Sequence, residues 1–245
     1  MSESSLASPI VGQGQSPLTI EQLVSSQPTP EELLEKALNS KDMDTFVHGV
    51  LTYATAKEGC GYHKAQLYLS SYENPEIMKF KSAIGPLSAE EFSQQCEYNL
   101  PLEQLFNPEN KPNNSSLIEA LHNLSVNIFK DRSPFFRAMR AGKPITSYGY
   151  KDYDAFRNTI TKRIRGFEEY AIVPLQVVSK KEVKTEAEPT KIVEHTWTIA
   201  LIILDYLPGI KSPPLDQNLG KLHKYSPMIA EALYNALNQN QNKPA

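Results

Sequence analysis

Two stretches near the C-terminal end decide the fold: Tyr170-Ala171-Ile172-Val173-Pro174-Leu175-Gln176-Val177-Val178 and Trp197-Thr198-Ile199-Ala200-Leu201-Ile202-Ile203-Leu204-Asp205-Tyr206. Both are apolar runs rich in β-branched and aromatic residues, which is the composition of strands buried in a sheet. Pro174 argues against a helix for the first run, because proline is poorly tolerated inside a helix. The segment from Ser179 to His195 is charged and polar, so we expect an antiparallel hairpin with a long exposed tip at the centre of a sheet.

The composition of the chain limits its class. The 245 residues, 40% of them hydrophobic, are enough for one large domain with tails. The longest apolar run, Ile199 to Leu204, is far shorter than the ~20 residues of a membrane-spanning helix, so no membrane partner is expected. The first thirty residues contain no Lys or Arg and no apolar block of signal-peptide type, which favours a cytoplasmic protein. The net charge of −3 favours neither nucleic acid nor an anionic membrane as a general partner.

The N-terminal third predicts a tail, two helices and a hairpin. Residues 1–29 are rich in Ser, Gln, Pro and Gly and should be disordered, because they cannot bury enough apolar surface to offset the entropy of ordering. Thr29-Pro30-Glu31-Glu32 has the form of a helix start. A second helix is predicted from about Met43 to Lys57. Alternating residues predict strands from Lys64 to Ser71 and from Met78 to Ile84.

The middle of the chain predicts several helices and one short strand. Ser88-Ala89-Glu90-Glu91 has the form of a capping box, so a helix should begin at Ala89. The final helix should have its stronger half capped by Ser226-Pro227. Further helices are predicted from Ser116 through Leu124, Val126 and Ile128, from Pro134 to Met139 and from Asp152 to Ile164, with a short strand from Ile145 to Tyr148.

The order of these elements is α+β with an antiparallel sheet, and not the alternation of strand and helix found in doubly wound folds. We expect the N- and C-terminal helices on one face of the sheet and the crossing helices of the middle region on the other. The expected boundaries are a single domain at residues 30–238, with residues 239–245 as a second disordered tail.

This ordered set of strings resembles the GAF domain, the small-molecule sensor module of signalling proteins. Ala171-Ile172-Val173-Pro174-Leu175 is similar to the family's apolar-Pro-Leu strand, and Ile199 to Asp205 to its following strand, which commonly ends in Asp. Ile84 to Glu91 resembles a stretch that follows the second strand in GAF domains of bacterial sensor proteins. Phe46 to Glu58 with Lys64 to Leu69, and Leu222 to Leu237, resemble the family's first helix and strand and its closing helix.

The chain also departs from the family pattern. Trp197-Thr198 stands where the family usually has Gly, and the insertion at 180–195 is longer than usual. We find no Asn-Lys-x-Asp signature of the members that bind cyclic nucleotides, and no cysteine that matches the attachment site of bilin-binding members. No kinase, cyclase, phosphodiesterase or DNA-binding segment follows residue 238, so we expect either that any output comes from another chain or that this copy has lost its signalling role.

The resemblance implies a ligand held between the sheet and the crossing helices, and the sequence does not indicate which ligand or cofactor this would be. The alternative is that the aromatic residues of this region only fill a core. The candidate pocket residues are Phe129, Phe136, Met139, Thr146, Tyr148 and Tyr153.

A basic segment stands out in an otherwise acidic chain. Lys130 to Gly166 contains ten Lys and Arg and three Asp, so it carries +7 and the remainder of the chain −10. Such a patch could attract a phosphate-bearing ligand or an acidic partner surface, and the alternative is a solvated helix face. The candidate residues are Arg137, Arg140, Lys162, Arg163 and Arg165.

The residues that could carry chemistry are few. The five histidines and two cysteines show no metal spacing, so no metal site is predicted. Cys60 lies between two glycines, and we expect it near the surface, where it could be oxidised. Asp205, at a strand end, could be catalytic or could fix the chain after the strand.

We therefore expect a non-enzymatic regulatory domain that binds a small-molecule ligand or a signalling protein and forms a homodimer through its terminal helices. Two alternatives stay open. One is a GAF-type enzyme such as a free methionine-(R)-sulfoxide reductase, which would use Cys60 or Cys96. The other is a protein-interaction module whose pocket is filled by its own side chains.

Overall fold

The computed structural model of the chain describes residues 27–71, 74, 76–97, 100–110, 115–127, 134–146, 163–164, 170–185 and 188–241. Most of the helix predicted from Asp152 to Ile164 lies outside these residues. No helix in the described ranges has the length and apolar character needed to cross a membrane. The helices are α1 (Pro30–Leu38), α2 (Met43–Thr55), α3 (Ala89–Glu97), α4 (Leu102–Phe106), α5 (Ser115–Leu121), α6 (Pro134–Ala141) and α7 (Leu219–Gln241). The strands are β1 (Lys64–Ser70), β2 (Ile77–Ile84), β3 (Ser125–Asn127), β4 (Ile145–Thr146), β5 (Tyr170–Thr185) and β6 (Glu188–Asp205).

The described strands form one antiparallel sheet in the order β3-β2-β1-β6-β5-β4. β5 and β6 are neighbours, with Val173 opposite Ile202, which confirms the predicted hairpin. Their ladder continues past the apolar runs until Thr185 lies opposite Glu188. The segment predicted as a long exposed tip is therefore a two-stranded ribbon. Strand-favouring residues occur on both of its arms, and such residues pair across a ladder even when both faces of the ribbon are polar.

Side chains alternate between the two faces of the sheet, and each face has its own core. The first core combines Val173 and Ile202 with residues of α1, α2 and α7. The second combines Ile172 and Ile203 with residues of α5 and α6. The terminal helices therefore share one face, as expected. The short helix α4 also lies on that face, where it contributes Phe106 to the first core.

Side chains cap the helices at the predicted starts. Thr29 Oγ1 accepts the backbone N–H of Glu32 at 3.2 Å, and Glu32 Oε2 accepts the backbone N–H of Thr29 at 2.8 Å. Ser88 Oγ accepts the backbone N–H of Glu91 at 3.2 Å. The Glu91 carboxylate also accepts the hydroxyl of Ser116 at 3.1 Å. Ser88 is thus a helix cap, and Glu91 ties α3 to α5.

The helix α5 is shorter than predicted. It ends at Leu121, and Val126 lies in β3 instead, paired with β2. Asn123 has a φ of 58°, a left-handed conformation that ends a helix and that Asn tolerates better than most residues. The prediction of one helix through Leu124 and Val126 was therefore wrong, and Ile128 lies outside the described residues.

The helix α7 continues through Pro227 and does not begin anew at Ser226. Pro227 has no N–H, so the carbonyl of His223 loses its usual helical donor. The hydroxyl of Ser226 donates to that carbonyl at 2.8 Å. The Ser-Pro pair predicted as a cap is an internal feature that lets the helix pass the proline.

Candidate functional site

A buried ion pair lies on the second face of the sheet. Lys64 begins β1 and Asp205 ends β6, and the two residues are opposite each other in the ladder. Lys64 Nζ is 3.1 Å from Asp205 Oδ2, and both side chains are 0% exposed. Removing two charges from water is so expensive that their attraction often fails to offset it. Stability alone is therefore a poor explanation for this pair.

Gln66 and Tyr68 follow Lys64 on the same face of β1, and we call these three residues with Asp205 the polar row. Tyr68 Oη donates to Gln66 Oε1 at 2.9 Å, and both groups are buried. This bond orients the amide and leaves Gln66 Nε2 without an acceptor among the described residues. The contact between Lys64 and Asp205 is short but poorly directed, so Lys64 Nζ and both Asp205 oxygens also lack a well-formed hydrogen bond there.

Burial sets the protonation of this region. Desolvation raises the pKa of Asp205 to about 6, although the Lys64 ammonium beside it acts in the opposite direction. Burial also raises the pKa of Tyr68 above its usual range, so its phenol is neutral. Burial, and then the charge of Lys64, lower the pKa of His63 to about 4. His63 is therefore neutral at pH 7, and its Nδ1 accepts the backbone N–H of Leu207 at 2.9 Å.

Gly85 lies directly against the ion pair. Its φ is 126°, which favours glycine strongly. A Cβ at this position would overlap the carbonyl oxygen of His63 and approach Lys64 Cγ to 2.9 Å. The Gly-Pro stretch that resembles part of bacterial GAF domains thus covers the stem of Lys64.

Aromatic residues of α6 and β5 adjoin the polar row. Tyr170 is opposite Asp205 in the ladder, and its ring stacks on Phe135 of α6 with centroids 6.0 Å apart. Both side chains are buried in the second core. Phe135, an aromatic residue of the middle region, and Tyr170 therefore form a wall next to the polar row.

The structure describes three of the six predicted pocket residues. Phe136 and Met139 are half-buried on α6, and Thr146 is half-buried in β4. Met139 packs against the second core, and its carbonyl accepts Gln176 Nε2 at 2.6 Å. The other three predicted pocket residues, Phe129, Tyr148 and Tyr153, lie outside the described residues.

The predicted basic patch is described at three positions. Arg163 Nη1 donates to the carbonyl of His122 at 2.9 Å, just past the end of α5. A cation at a helix C-terminus is favourable, so this side chain has a structural role. Arg137 and Arg140 are exposed on α6, whereas Lys162 and Arg165 lie outside the described residues.

The expectation that Cys60 lies near the surface was wrong. It is 0% exposed within the first core, on the opposite face of the sheet from the polar row. The turn after α2 folds back, so that Cys60 N–H donates to the Tyr53 carbonyl at 2.9 Å. Burial raises the pKa of the Cys60 thiol to about 12, and such a thiol is unreactive. Among the described residues, no three His, Cys, Asp or Glu side chains come together as a metal site.

In the sequence, Asp205 stands out by its place at a strand end, whereas nothing there marks Lys64 or Gln66 as site residues. Alternation along β1 puts Gln66 and Tyr68 on the face opposite Ala65, but it does not indicate whether that face is buried. The expectation of helices on both faces of the sheet does indicate that these polar side chains are buried. A central strand covered on both sides buries its polar side chains as well as its apolar ones.

Comparisons with known proteins find similar structures but no similar sequences. No protein-family model matches the sequence, and no curated protein sequence does. The GAF domain of a phosphoenolpyruvate-protein phosphotransferase from Coxiella burnetii is similar, with a TM-score of 0.50 at 6% identity, covering 86% of this chain and 94% of that chain. Residues 122 to 287 of a methyl-accepting chemotaxis protein give a TM-score of 0.49 at 11% identity, covering 86% and 99%. The GAF domain of a two-component sensor histidine kinase from Bacillus halodurans gives 0.44 at 9% identity, covering 82% and 100%.

Proposed function

Since the chain has the GAF fold, we propose that it is a cytoplasmic, non-enzymatic regulatory domain that binds a small molecule at the polar row. The similar structure with a TM-score of 0.50 is a GAF domain by its name, and the resemblance of the sequence to GAF domains implies a sensory role. The observation that carries the proposal is the polar row itself. Lys64 and Asp205 are fully buried as a charged pair beside the unused amide donor of Gln66.

Ligand binding explains why these groups are buried. A buried ion pair can often be replaced by apolar residues of similar size with no loss of stability, or with a gain. A buried donor without an acceptor is a further cost, of about 1–3 kcal/mol. A ligand that provides the missing hydrogen bonds would offset both costs, and the apo state would be the less stable one.

The strand β6 links this site to the surface of the domain. It ends at Asp205, and near its middle the ring of Trp197 meets Tyr234 of α7 edge to face, with centroids 6.0 Å apart. Both aromatic side chains are more than a third exposed. A ligand that favours one position of β6 would therefore shift the packing of α7. A signalling protein or a second copy of the chain would detect that shift at α7.

The proposal is tested by replacing the ion pair with apolar residues. A thermal-shift screen of metabolites supplies the ligand, since a ligand at 100 times its Kd adds about 2.7 kcal/mol of stability. The variant Lys64→Met/Asp205→Leu should fold at least as stably as the parent chain but lose the response to the ligand. The fluorescence of Trp197, the sole tryptophan, reports the change at α7.

The chain offers a matched control for this variant. Lys180 and Glu194 form an ion pair with the same N–O distance of 3.1 Å, but both side chains are exposed on the ribbon. The variant Lys180→Met/Glu194→Leu should keep the ligand response. A ligand that stabilises both double variants equally would contradict the assignment of the polar row. If no metabolite raises the Tm of the parent chain, the module with a closed pocket is favoured instead.

A further inference from the structure

We propose that the polar row selects a small molecule without net charge that presents a hydrogen-bond acceptor and a hydrogen-bond donor on neighbouring atoms, attached to an apolar body. This inference rests on the proposed function and specifies its ligand. An α-amino acid zwitterion and an uncharged carboxamide both have this arrangement. Three properties of the polar row support it.

The first property is the arrangement of donors and acceptors. β1 supplies two donors, Lys64 Nζ and Gln66 Nε2, while β6 supplies the oxygens of Asp205. Lys64 Nζ lies 3.1 Å from Asp205 Oδ2, and Gln66 is two residues further along the same face of β1, so one small polar group could reach the donors and the acceptors together. A ligand acceptor directed at β1 and a ligand donor directed at Asp205 would satisfy both sides together.

The second property is charge balance. Lys64 and Asp205 cancel each other, and both are 0% exposed. His63 and Tyr68 are neutral at pH 7, as their shifted pKa values indicate. Arg163 also acts on Tyr68, but it is exposed and is bound to the end of α5. A ligand with net charge would add an uncompensated charge to a buried site, which is costly.

The third property is the apolar surround. Gln66 lies between Ala83 of β2 and Ile203 of β6 in the ladder. The small side chain of Ala83 leaves more room beside the Gln66 amide than a larger residue would. Phe135 and Tyr170 supply a stacked aromatic pair on the same face. These neighbours favour an apolar or aromatic body on the ligand.

Two sets of small molecules with a shared body test the selection. The first set is L-leucine, 4-methylpentanoate, 3-methylbutylamine and 4-methylpentanamide. The second set is L-phenylalanine, 3-phenylpropanoate, 2-phenylethylamine and 3-phenylpropanamide. Calorimetry at pH 7 should find binding by the zwitterion or the carboxamide of at least one set, and weaker binding by the carboxylate and the amine. Which of the two neutral compounds binds more tightly identifies the source of the headgroup.

The variant Gln66→Leu tests the contribution of the Gln66 donor to ligand binding separately from its contribution to stability. Loss of one hydrogen bond to a ligand should weaken binding about tenfold or more. The Tm of the apo variant should stay close to that of the parent chain, because the buried Gln66 Nε2, which has no acceptor, is removed while the Tyr68 hydroxyl loses its acceptor, Gln66 Oε1. The exposed substitution His195→Leu on the ribbon is the control and should change neither quantity.

Two results would overturn the ligand class. One is binding by a carboxylate or amine that equals or exceeds that of its neutral counterparts. The other is the absence of binding by every zwitterion and carboxamide in both sets. If the metabolite screen still yields a ligand whose effect disappears in Lys64→Met/Asp205→Leu, the proposed function stands and only the ligand class fails. If that screen also yields none, both fail.

Discussion

Asp205 and Lys64 are charged side chains buried in the sheet. The burial of Asp205 affects how the stability of the fold depends on pH. The folded-state pKa of Asp205 is about 6, above its ordinary value of 3.8. The native state therefore holds this proton more tightly than the unfolded chain does. The stabilising contribution is complete below pH 3.8 and is lost as the pH rises through 6, by up to ~3 kcal/mol.

Urea unfolding between pH 3.5 and pH 7 measures this effect. The difference in free energy of unfolding between the parent chain and Lys64→Met/Asp205→Leu should decrease as the pH rises, because only the parent chain contains the Asp205 carboxyl. The other groups that titrate between pH 3.5 and pH 7 are common to both proteins, and the pKa of His63 is lowered mainly by burial, with the charge of Lys64 as the smaller cause. Two curves that stay parallel over this range would show that Asp205 titrates as an exposed carboxyl does.

Gly85 permits a second prediction for a single residue. Gly85→Ala should destabilise the fold by at least 1–3 kcal/mol, roughly the cost of a strained backbone conformation, because it adds a Cβ that overlaps the carbonyl oxygen of His63. Gly220→Ala is the control, since a Cβ there meets nothing within 4 Å and the residue lies in α7. That change should leave the Tm equal or higher. Equal Tm changes for the two variants would contradict the close approach of Gly85 to Lys64.

Among the secondary-structure elements, α7 offers a test of how a helix accommodates proline. Pro227→Ala should stabilise the chain by up to ~3 kcal/mol, because alanine restores the N–H that the His223 carbonyl lacks. Ser226→Ala should destabilise the parent chain, where the Ser226 hydroxyl is the donor to that carbonyl. In the Pro227→Ala background the same serine change should cost much less. Chemical denaturation of the four proteins gives the coupling energy, and additive effects would exclude this role for Ser226.

The same elements explain how much could be predicted from the sequence. The apolar runs of β5 and β6 were predictable, because a central strand has a strong local pattern. The end of α5 was not, because it depends on the left-handed conformation of Asn123. The sequence predicts an exposed hairpin tip in place of the ribbon, because the residues there do not show the alternation of a half-buried strand. Local charge suggests exposure, but pairing between the two arms decides the structure.

The candidate site was harder to predict than the fold for a related reason. Nothing near Lys64 in the sequence marks it as buried, because its burial depends on β6, on Gly85 and on the covering helices. Asp205 was noted only for its place at a strand end. The ion pair joins residues 64 and 205, so it becomes visible only when β1 and β6 are paired.

For the molecule as a whole, the proposed homodimer depends on what α7 leaves exposed. The apolar residues of α1 and α7 are largely buried together in the first core, which leaves Met228 47% exposed. Met228→Glu should weaken self-association, because it places a charge on the remaining apolar surface of α7. His195→Glu adds a carboxylate on the ribbon and should have no effect. Sedimentation velocity over a range of concentrations measures both, and an unchanged dimer in Met228→Glu would exclude this surface.

The length of β6 has a mechanical consequence. The strand contains 18 residues, which at about 3.3 Å per residue span ~60 Å. Among the described residues, its outer part pairs only with β5, whereas its inner part is held between β1 and β5. Because the outer part extends beyond β1, a tilt of β6 near Asp205 would move the far end of the ribbon over a larger distance than it moves Asp205 itself. Energy transfer between a dye at the far end of the ribbon and a second dye on α1 would measure that displacement.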